Sequence, residues 1–236
     1  MQNLLPATLS KPLFACAIAV TGWIASAGVS PAAVVLDFYR ITNNAALIPA
    51  GQLYAVVTDL SDINGPKVQF EFFNQADPGG LASTVTDIFV DNSSVLASLY
   101  AVIDIDTVDF DVDFKAVNAG PPTMPGANLA VPAFVGDPTL GAEAVHGGAG
   151  GANGIAAGID ENHDSVQLRY TLTSGKVFAD VVNDLTNGSL RFGLHIQAIG
   201  GVTSDGYVSQ YTPVPEPTTA LVGFLLVACM LRRRRN

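Results

Sequence analysis

The chain has 236 residues, of which 49% are hydrophobic and only 14% are charged, and its formal net charge is −10. This length fits one folded domain with accessory segments, and the apolar content excludes wholesale disorder. The acidic balance argues against a nucleic-acid partner, because binding to a phosphate backbone needs basic patches. Residues 34–211 hold six basic and 20 acidic residues, a formal charge of −14, whereas both ends are apolar and basic.

The first 33 residues have the pattern of an export signal. Lys11 precedes the apolar stretch Leu13 to Ile24, and the following Ala25-Ser26-Ala27 fits the A-x-A cleavage pattern. About 12 apolar residues are too few to span a hydrocarbon core of ~30 Å. The pattern therefore predicts a cleavable signal peptide at residues 1–33, followed by a body at residues 34–211.

The body is dominated by apolar residues that alternate with polar ones, which is the pattern of half-buried strands. The turn residues Asp62 to Pro66 predict that the first two of these strands form a hairpin. Short strands separated by turns predict a mainly β fold: an antiparallel, jelly-roll-like β-sandwich, with an open barrel as the alternative. The predicted strands are Leu53–Leu60, Lys67–Phe73, Val85–Val90, Leu96–Ile103, Val108–Val117, Val166–Thr173 and Leu190–Ile199.

Acidic residues on one predicted strand are the candidate metal ligands. Asp109, Asp111 and Asp113 share one strand face, spaced about 7 Å apart, and carboxylates are ligands that calcium prefers. Residues on an extended strand diverge, however, and no EF-hand loop is present, so a solvated strand face is the alternative interpretation. A second polar cluster, Asp160 to Asp164, is interpreted as a solvated loop, with completion of a metal site or acid–base chemistry as alternatives.

Other features of the body point to structure and not to catalysis. His195 is predicted to be a structural or exposed side chain opposite the apolar face of its strand. No G-x-S-x-G, phosphate-binding or H-E-x-x-H motif occurs, so no catalytic residue is assigned and the body is predicted not to be an enzyme. The proline-rich residues 118–138 and the glycine-rich residues 141–158 are predicted to be irregular, and to be disordered or to bind a ligand.

One segment of the body has helical periodicity. From Lys176 to Thr186 the apolar residues recur along one helix face, and Asn187-Gly188 supplies a left-handed stop. The pattern predicts one short helix that caps an open end of the sandwich.

The C-terminal residues 212–236 form the third segment. Pro215, Glu216 and Pro217 precede 14 uncharged residues, Thr218 to Leu231, which are short for a spanning helix of ~20 residues. Local thinning of the bilayer and snorkelling side chains can make up the difference. Arg232, Arg233, Arg234 and Arg235 then stop transfer and stay on the cytoplasmic side.

The order of these features resembles the PEP-CTERM sorting signal, a family of C-terminal tails recognised by exosortase in Gram-negative bacteria that make extracellular polysaccharide. The body, including VQFEFFNQ, VTDIFVD and GKVFADVVNDLTNGSLRFGLHIQAIG, resembles an uncharacterised passenger domain of such proteins. The resemblance implies export across the inner membrane, transient anchoring there, processing by an exosortase-type enzyme, and a final place at the cell surface or in the extracellular matrix.

Three functions follow as expectations. The first is a non-catalytic surface or matrix protein, which needs no cofactor. The second is a calcium-assisted module that binds extracellular polysaccharide, and the third is a glycan-active enzyme that uses paired carboxylates.

Overall fold

A computed structural model describes residues 34–76, 79–92, 94–105, 112–117, 123–145, 157–160, 162–201 and 203–211. Within these residues the protein is mainly β with one short α-helix, as the sequence predicts. The helix α1 is Phe178–Asn187. The strands are β1 (Val34–Arg40), β2 (Leu53–Asp59), β3 (Lys67–Gln75), β4 (Thr84–Asp91), β5 (Leu96–Ile105), β6 (Phe114–Ala116), β7 (Ala142–Ala144), β8 (Asn162–Leu172), β9 (Arg191–Ile199) and β10 (Thr203–Tyr211).

The described strands form one antiparallel sheet in the order β5-β8-β3-β2-β1-β10-β9-β4-β7-β6. A sandwich would divide these strands between two sheets, whereas here one ten-stranded sheet is nearly barrel-shaped. The two end strands of this order approach each other, since the backbone N–H of Phe114 on β6 donates to Oδ1 of Asp104 on β5 at 3.1 Å. Alternation predicts that a segment is a strand, but it does not predict how strands are grouped into sheets.

The core lies on the concave side of this sheet. Phe70 on β3 packs against Phe192 on β9 with ring centroids 4.4 Å apart, and against Tyr170 on β8 at 5.8 Å. All three side chains are fully buried. Because β2, β1 and β10 separate β3 from β9 in the sheet, this contact requires the sheet to curl around a shared core. Burial of these apolar rings is the main stabilising contribution of the fold.

The hairpin predicted from the turn at Asp62 to Pro66 is confirmed. Strands β2 and β3 pair antiparallel, and Asp62 and Gly65 form an isolated bridge in the turn. The Lys67 ammonium donates to the Asp62 carboxylate at 2.9 Å, and this hydrogen bond lowers the pKa of Asp62. By contrast, the consecutive strands β4 and β5 do not pair, since β4 pairs with β7 and β9, and β5 pairs with β8.

The predicted helix is present and ends where the sequence indicates. Val181 and Leu185 are buried in the main core, and Gly188 follows in the left-handed conformation with φ 75°, its N–H bonded to the carbonyl of Leu185. At the other end, the Asp180 side chain accepts the N–H of Val177 at 2.9 Å. In the described part of the chain no helix is both long and apolar enough to cross a membrane. The predicted signal peptide and tail helix lie outside the described residues.

The proline-rich residues 123–138 are packed on the convex side of the sheet. Met124 and Phe134 are buried there against Phe89 and Val208 of the sheet. A β-carbon at Gly193 would lie 2.3 Å from the Met124 sulfur, so Met124 packs in the space that a side chain at position 193 would enter. The segment 131–135, which we call the strap, is therefore held on the sheet. The expectation of disorder for this region is wrong for its described residues.

Two further predictions are corrected, one about an irregular region and one about a strand. Ala142–Ala144 form β7 inside the glycine-rich region, next to Gly141, where a β-carbon would lie 2.6 Å from the carbonyl oxygen of Ile88. The strand predicted over Val108–Val117 is a strand only at β6 among its described residues, because Val112 and Asp113 lie outside any strand.

Candidate functional site: a groove beside Arg191

An open groove of about 740 Å³ lies where the convex side of the sheet meets the end of α1. One wall is formed by Tyr39 on β1 and by residues 209–211 on β10. The second wall is formed by residues 186–189, the end of α1 with its left-handed stop, and the third is the strap. The volume falls within the range of about 300–1,000 Å³ that is usual for small-molecule sites.

Arg191 connects the groove to the sheet. Its guanidinium forms an ion pair with Asp91 on the neighbouring strand β4, and both residues line the groove. The same group donates to the carbonyl oxygens of Pro132 at 2.7 Å and Ala133 at 3.0 Å, and lies 5.5 Å from the centre of the Phe134 ring. These contacts fix the strap to β4 and β9. The planar fork of arginine suits this arrangement of several acceptors.

Burial sets the electrostatics of this pair. The Arg191 side chain is 8% exposed and that of Asp91 is 20% exposed. The buried Nε of Arg191 has no hydrogen-bond partner among the described residues. The Asp91 carboxylate also accepts the N–H of Val135 at 3.3 Å. The Asp91 carboxylate is therefore neutralised by its partner and held in position, while part of it stays accessible.

The remaining described lining is uncharged, and it includes two tyrosines, aliphatic side chains and polar side chains. Tyr39 is 38% exposed and Gln210 is exposed, so both present side chains to solvent from neighbouring strands. Thr186, Asn187 and Ser189 supply hydroxyl and amide groups from the turn. The Asn187 side chain also accepts the N–H of Ser189 at 2.8 Å, which orders the turn. The groove thus combines apolar surface with donors and acceptors and is suited to binding a polar organic ligand.

Outside the groove, another group of polar side chains surrounds His195 on the convex side of β9. Its Nδ1 lies 2.9 Å from Oδ2 of Asp87, and the Thr86 hydroxyl donates to the same oxygen at 2.9 Å. Gln197 donates to the Thr86 hydroxyl at 3.0 Å. Asp87 is buried, and the neighbouring acid on β7, Glu143, is paired with Lys115 at 3.3 Å. Each acid has a structural partner, which agrees with the prediction of a structural role for His195.

The predicted site residues are not brought together by the described part of the chain. Asp109 and Asp111 lie outside the described residues, while Asp113 is exposed, and its backbone N–H bonds to the carbonyl of Ala157 at 3.1 Å. Within the polar cluster Asp160 to Asp164, Asp164 is fully buried and Asp160 is half-buried. Among the described residues no group of three or more His, Cys, Asp and Glu side chains could hold a metal ion. The tail residues Pro215 to Pro217 and Arg232 to Arg235 also lie outside the described ranges.

The sequence analysis did not identify the groove residues. Arg191 and Asp91 are 100 positions apart in the chain, and only the register between β4 and β9 places them side by side. The available signal was weak: Arg191 is one of only six basic residues in the body, and it stands at the start of an apolar strand.

Comparisons with known proteins give no assignment for this fold or groove. No protein-family model matches the chain, and no curated protein or solved structure is significantly similar to it.

Proposed function

We propose that the protein is an exported cell-surface or extracellular-matrix protein, processed by an exosortase-type enzyme, with a non-catalytic β-rich body. The observation that carries this proposal is the pairing of the first strand with the last. β1 begins at Val34 and β10 ends at Tyr211, and the two strands pair antiparallel with Leu36 opposite Tyr211. The two ends of the body therefore lie side by side on neighbouring strands, an arrangement that fits a cargo with one sorting segment at each end.

The proposed sorting route uses the two ends in succession. The signal peptide directs the chain across the inner membrane, and the apolar residues Thr218 to Leu231 then hold it there. The arginine cluster stops transfer on the cytoplasmic side. The motif Pro215-Glu216-Pro217 lies at most about 22 Å from Tyr211, since its last residue is six positions further along the chain and an extended chain spans no more than ~3.6 Å per residue. Processing near this motif would release the body or pass it to the cell surface.

Replacing Pro215, Glu216 and Pro217 by alanine in the full chain tests this proposal in the native host. Recognition is lost while the apolar helix remains, so full-length protein is expected to accumulate in the inner-membrane fraction. Pro213→Ala is the matched control, because it changes a proline of the same stretch outside the motif. Immunoblots of cell fractions should show a shorter, released form for the wild type and the control. Normal release of the triple variant would refute the sorting proposal.

The calcium-assisted carbohydrate-binding module is the alternative function, and a glycan-active enzyme is the third. The groove favours a binding role for the body, because its described lining combines two tyrosines with uncharged side chains around one neutralised ion pair. Incubation with polysaccharide separates these functions. A binding module is retarded by the polymer without changing it, whereas an enzyme liberates reducing ends.

A further inference from the structure

We propose that the groove beside Arg191 binds a neutral oligosaccharide segment of a polysaccharide, and that it does so without calcium. This inference rests on the proposed non-catalytic role at the cell surface, and it adds a ligand class and a binding site to that role. Four properties of the groove support this inference: its open shape, the exposed aromatic ring of Tyr39, the uncharged polar side chains of its described lining, and the neutralised ion pair of Asp91 and Arg191.

The aromatic ring supplies the apolar contact that a sugar ring requires. Tyr39 is 38% exposed in the groove wall, and its ring presents a flat apolar surface with a polar tip. One face of a pyranose ring carries mainly C–H groups and packs on such a surface. Burial of both surfaces on contact removes apolar area from water, which favours binding.

The polar lining matches sugar hydroxyl groups. Hydroxyl groups both donate and accept hydrogen bonds, and so do the side chains of Ser189 and Gln210 along the two walls. The Thr186 hydroxyl donates to the carbonyl of Val182 at 2.7 Å, so it offers a ligand an acceptor. The accessible part of Asp91 adds an acceptor with a fixed orientation, because Arg191 and the N–H of Val135 hold this carboxylate. Because this carboxylate is already held in place, its hydrogen bond to a ligand costs little conformational entropy.

Charge selects a neutral polymer over an anionic one. The described lining of the groove contains one acid and one base, which are paired with each other, so neither charge in this lining is left uncompensated for a uronic acid or sulfate group. Residues 34–211 have a formal charge of −14, which repels an anionic polymer at the surface as a whole. Calcium is not needed, because every contact in this scheme comes from protein side chains.

Affinity gel electrophoresis of the full chain, in a non-ionic polyoxyethylene detergent, tests the proposal. Native gels contain dextran, galactomannan or arabinoxylan as neutral polymers, or alginate as an anionic polymer, each with calcium or with EDTA. At least one neutral polymer is expected to retard the protein, equally with and without EDTA, and alginate is expected not to. Retardation by none of the neutral polymers, by alginate alone, or only in the presence of calcium would overturn the proposal.

Variants assign the retardation to the groove. Tyr39→Ala is expected to weaken binding about tenfold or more, because the ring contact is lost, and Tyr39→Phe is expected to retain it. Gln210→Ala should weaken binding less, by the loss of one hydrogen bond. Tyr100→Ala is the control, since Tyr100 is 45% exposed on β5, outside the groove. Wild-type retardation of Tyr39→Ala, with a native circular dichroism spectrum, contradicts the site. Fractionation of the tail variant decides the proposed sorting independently of these gels.

Discussion

Asp205 provides a quantitative test of how the fold is held together, because this fully buried carboxylate anchors the loop after β1. It accepts hydrogen bonds from the Thr42 hydroxyl at 2.7 Å and from the backbone N–H groups of Asn44 at 2.8 Å and Ala45 at 3.1 Å. The Arg40 guanidinium lies 3.7 Å away. Asp205→Ala leaves these donors and the cation without their acceptor, which costs about 3–5 kcal/mol for a buried charged network.

This loss is large compared with a total stability of about 5–15 kcal/mol. For a domain of this size each kcal/mol lowers the melting temperature by about 2–4 °C, so Asp205→Ala should melt roughly 10 °C below the wild type. Asp205→Asn keeps one acceptor oxygen and should fall between them. Asp62→Ala, which removes an exposed carboxylate from the β2–β3 turn, is the matched control and should change the midpoint far less. Urea and thermal unfolding followed by circular dichroism measure these differences. A stability of Asp205→Ala within about 1 kcal/mol of the wild type would refute the assignment of the anchor.

Two further substitutions test the packing of the convex side and of the core. In Gly206→Ala the new β-carbon would lie 2.1 Å from the carbonyl oxygen of Pro125, and we expect a loss of about 1–3 kcal/mol in urea unfolding. Gly136→Ala, whose β-carbon meets only a ring carbon of Phe134 at 3.9 Å, should be neutral, and equal effects of the two would contradict the packing of the proline-rich segment. Tyr170 is fully buried and donates to the carbonyl of Leu140 at 2.7 Å, and burial first, then the charge of Asp137, raises its pKa well above the usual value. Because the folded-state pKa is the higher one, its contribution to stability is complete below a pH of about 10 and is lost as the pH rises further. Tyr170→Phe should therefore be less stable at pH 7, by about 1–2 kcal/mol, and should lose less stability than the wild type between about pH 9 and 11. An unchanged slope of stability against pH would show that Tyr170 does not titrate with unfolding.

The sequence predicts those elements whose pattern is local and strong. Phe192, Leu194 and Ile196 face the core from β9, as their alternation indicates, and the helix face of Val181 and Leu185 is buried. The strands β1 and β10 were not predicted, and β10 contains Ser204, Asp205 and Gly206 where apolar residues would be expected. Two of these positions, Asp205 and Gly206, are explained by tertiary contacts: the anchor at Asp205, and the packing of Pro125 on Gly206. Such contacts leave no periodic signal in the sequence.

Sheet order and the groove could not be predicted for a related reason. Both depend on long-range register, and the register between β4 and β9 brings Asp91 opposite Arg191. A hairpin can be predicted from its turn, as at Asp62 to Pro66, because loop length fixes which residues face each other. A connection as long as the one between β4 and β9 carries no such information, so a candidate site built across it becomes visible only in the folded chain.

The arrangement of the groove separates the residues that stabilise the fold from those that would contact a ligand. The sheet and its aromatic core hold β1, β9 and β10 in place, and Arg191 fixes the strap to this frame. The exposed groups at the rim, Tyr39, Gln210 and Val135, project from that frame and take little part in the core. Substitutions at the rim are therefore expected to change the surface of the groove while the fold is kept, because Tyr39 and Gln210 stand on the rigid strands β1 and β10. Substitution of Arg191 differs, because it removes the contacts that hold the strap and leaves the Asp91 carboxylate without its partner.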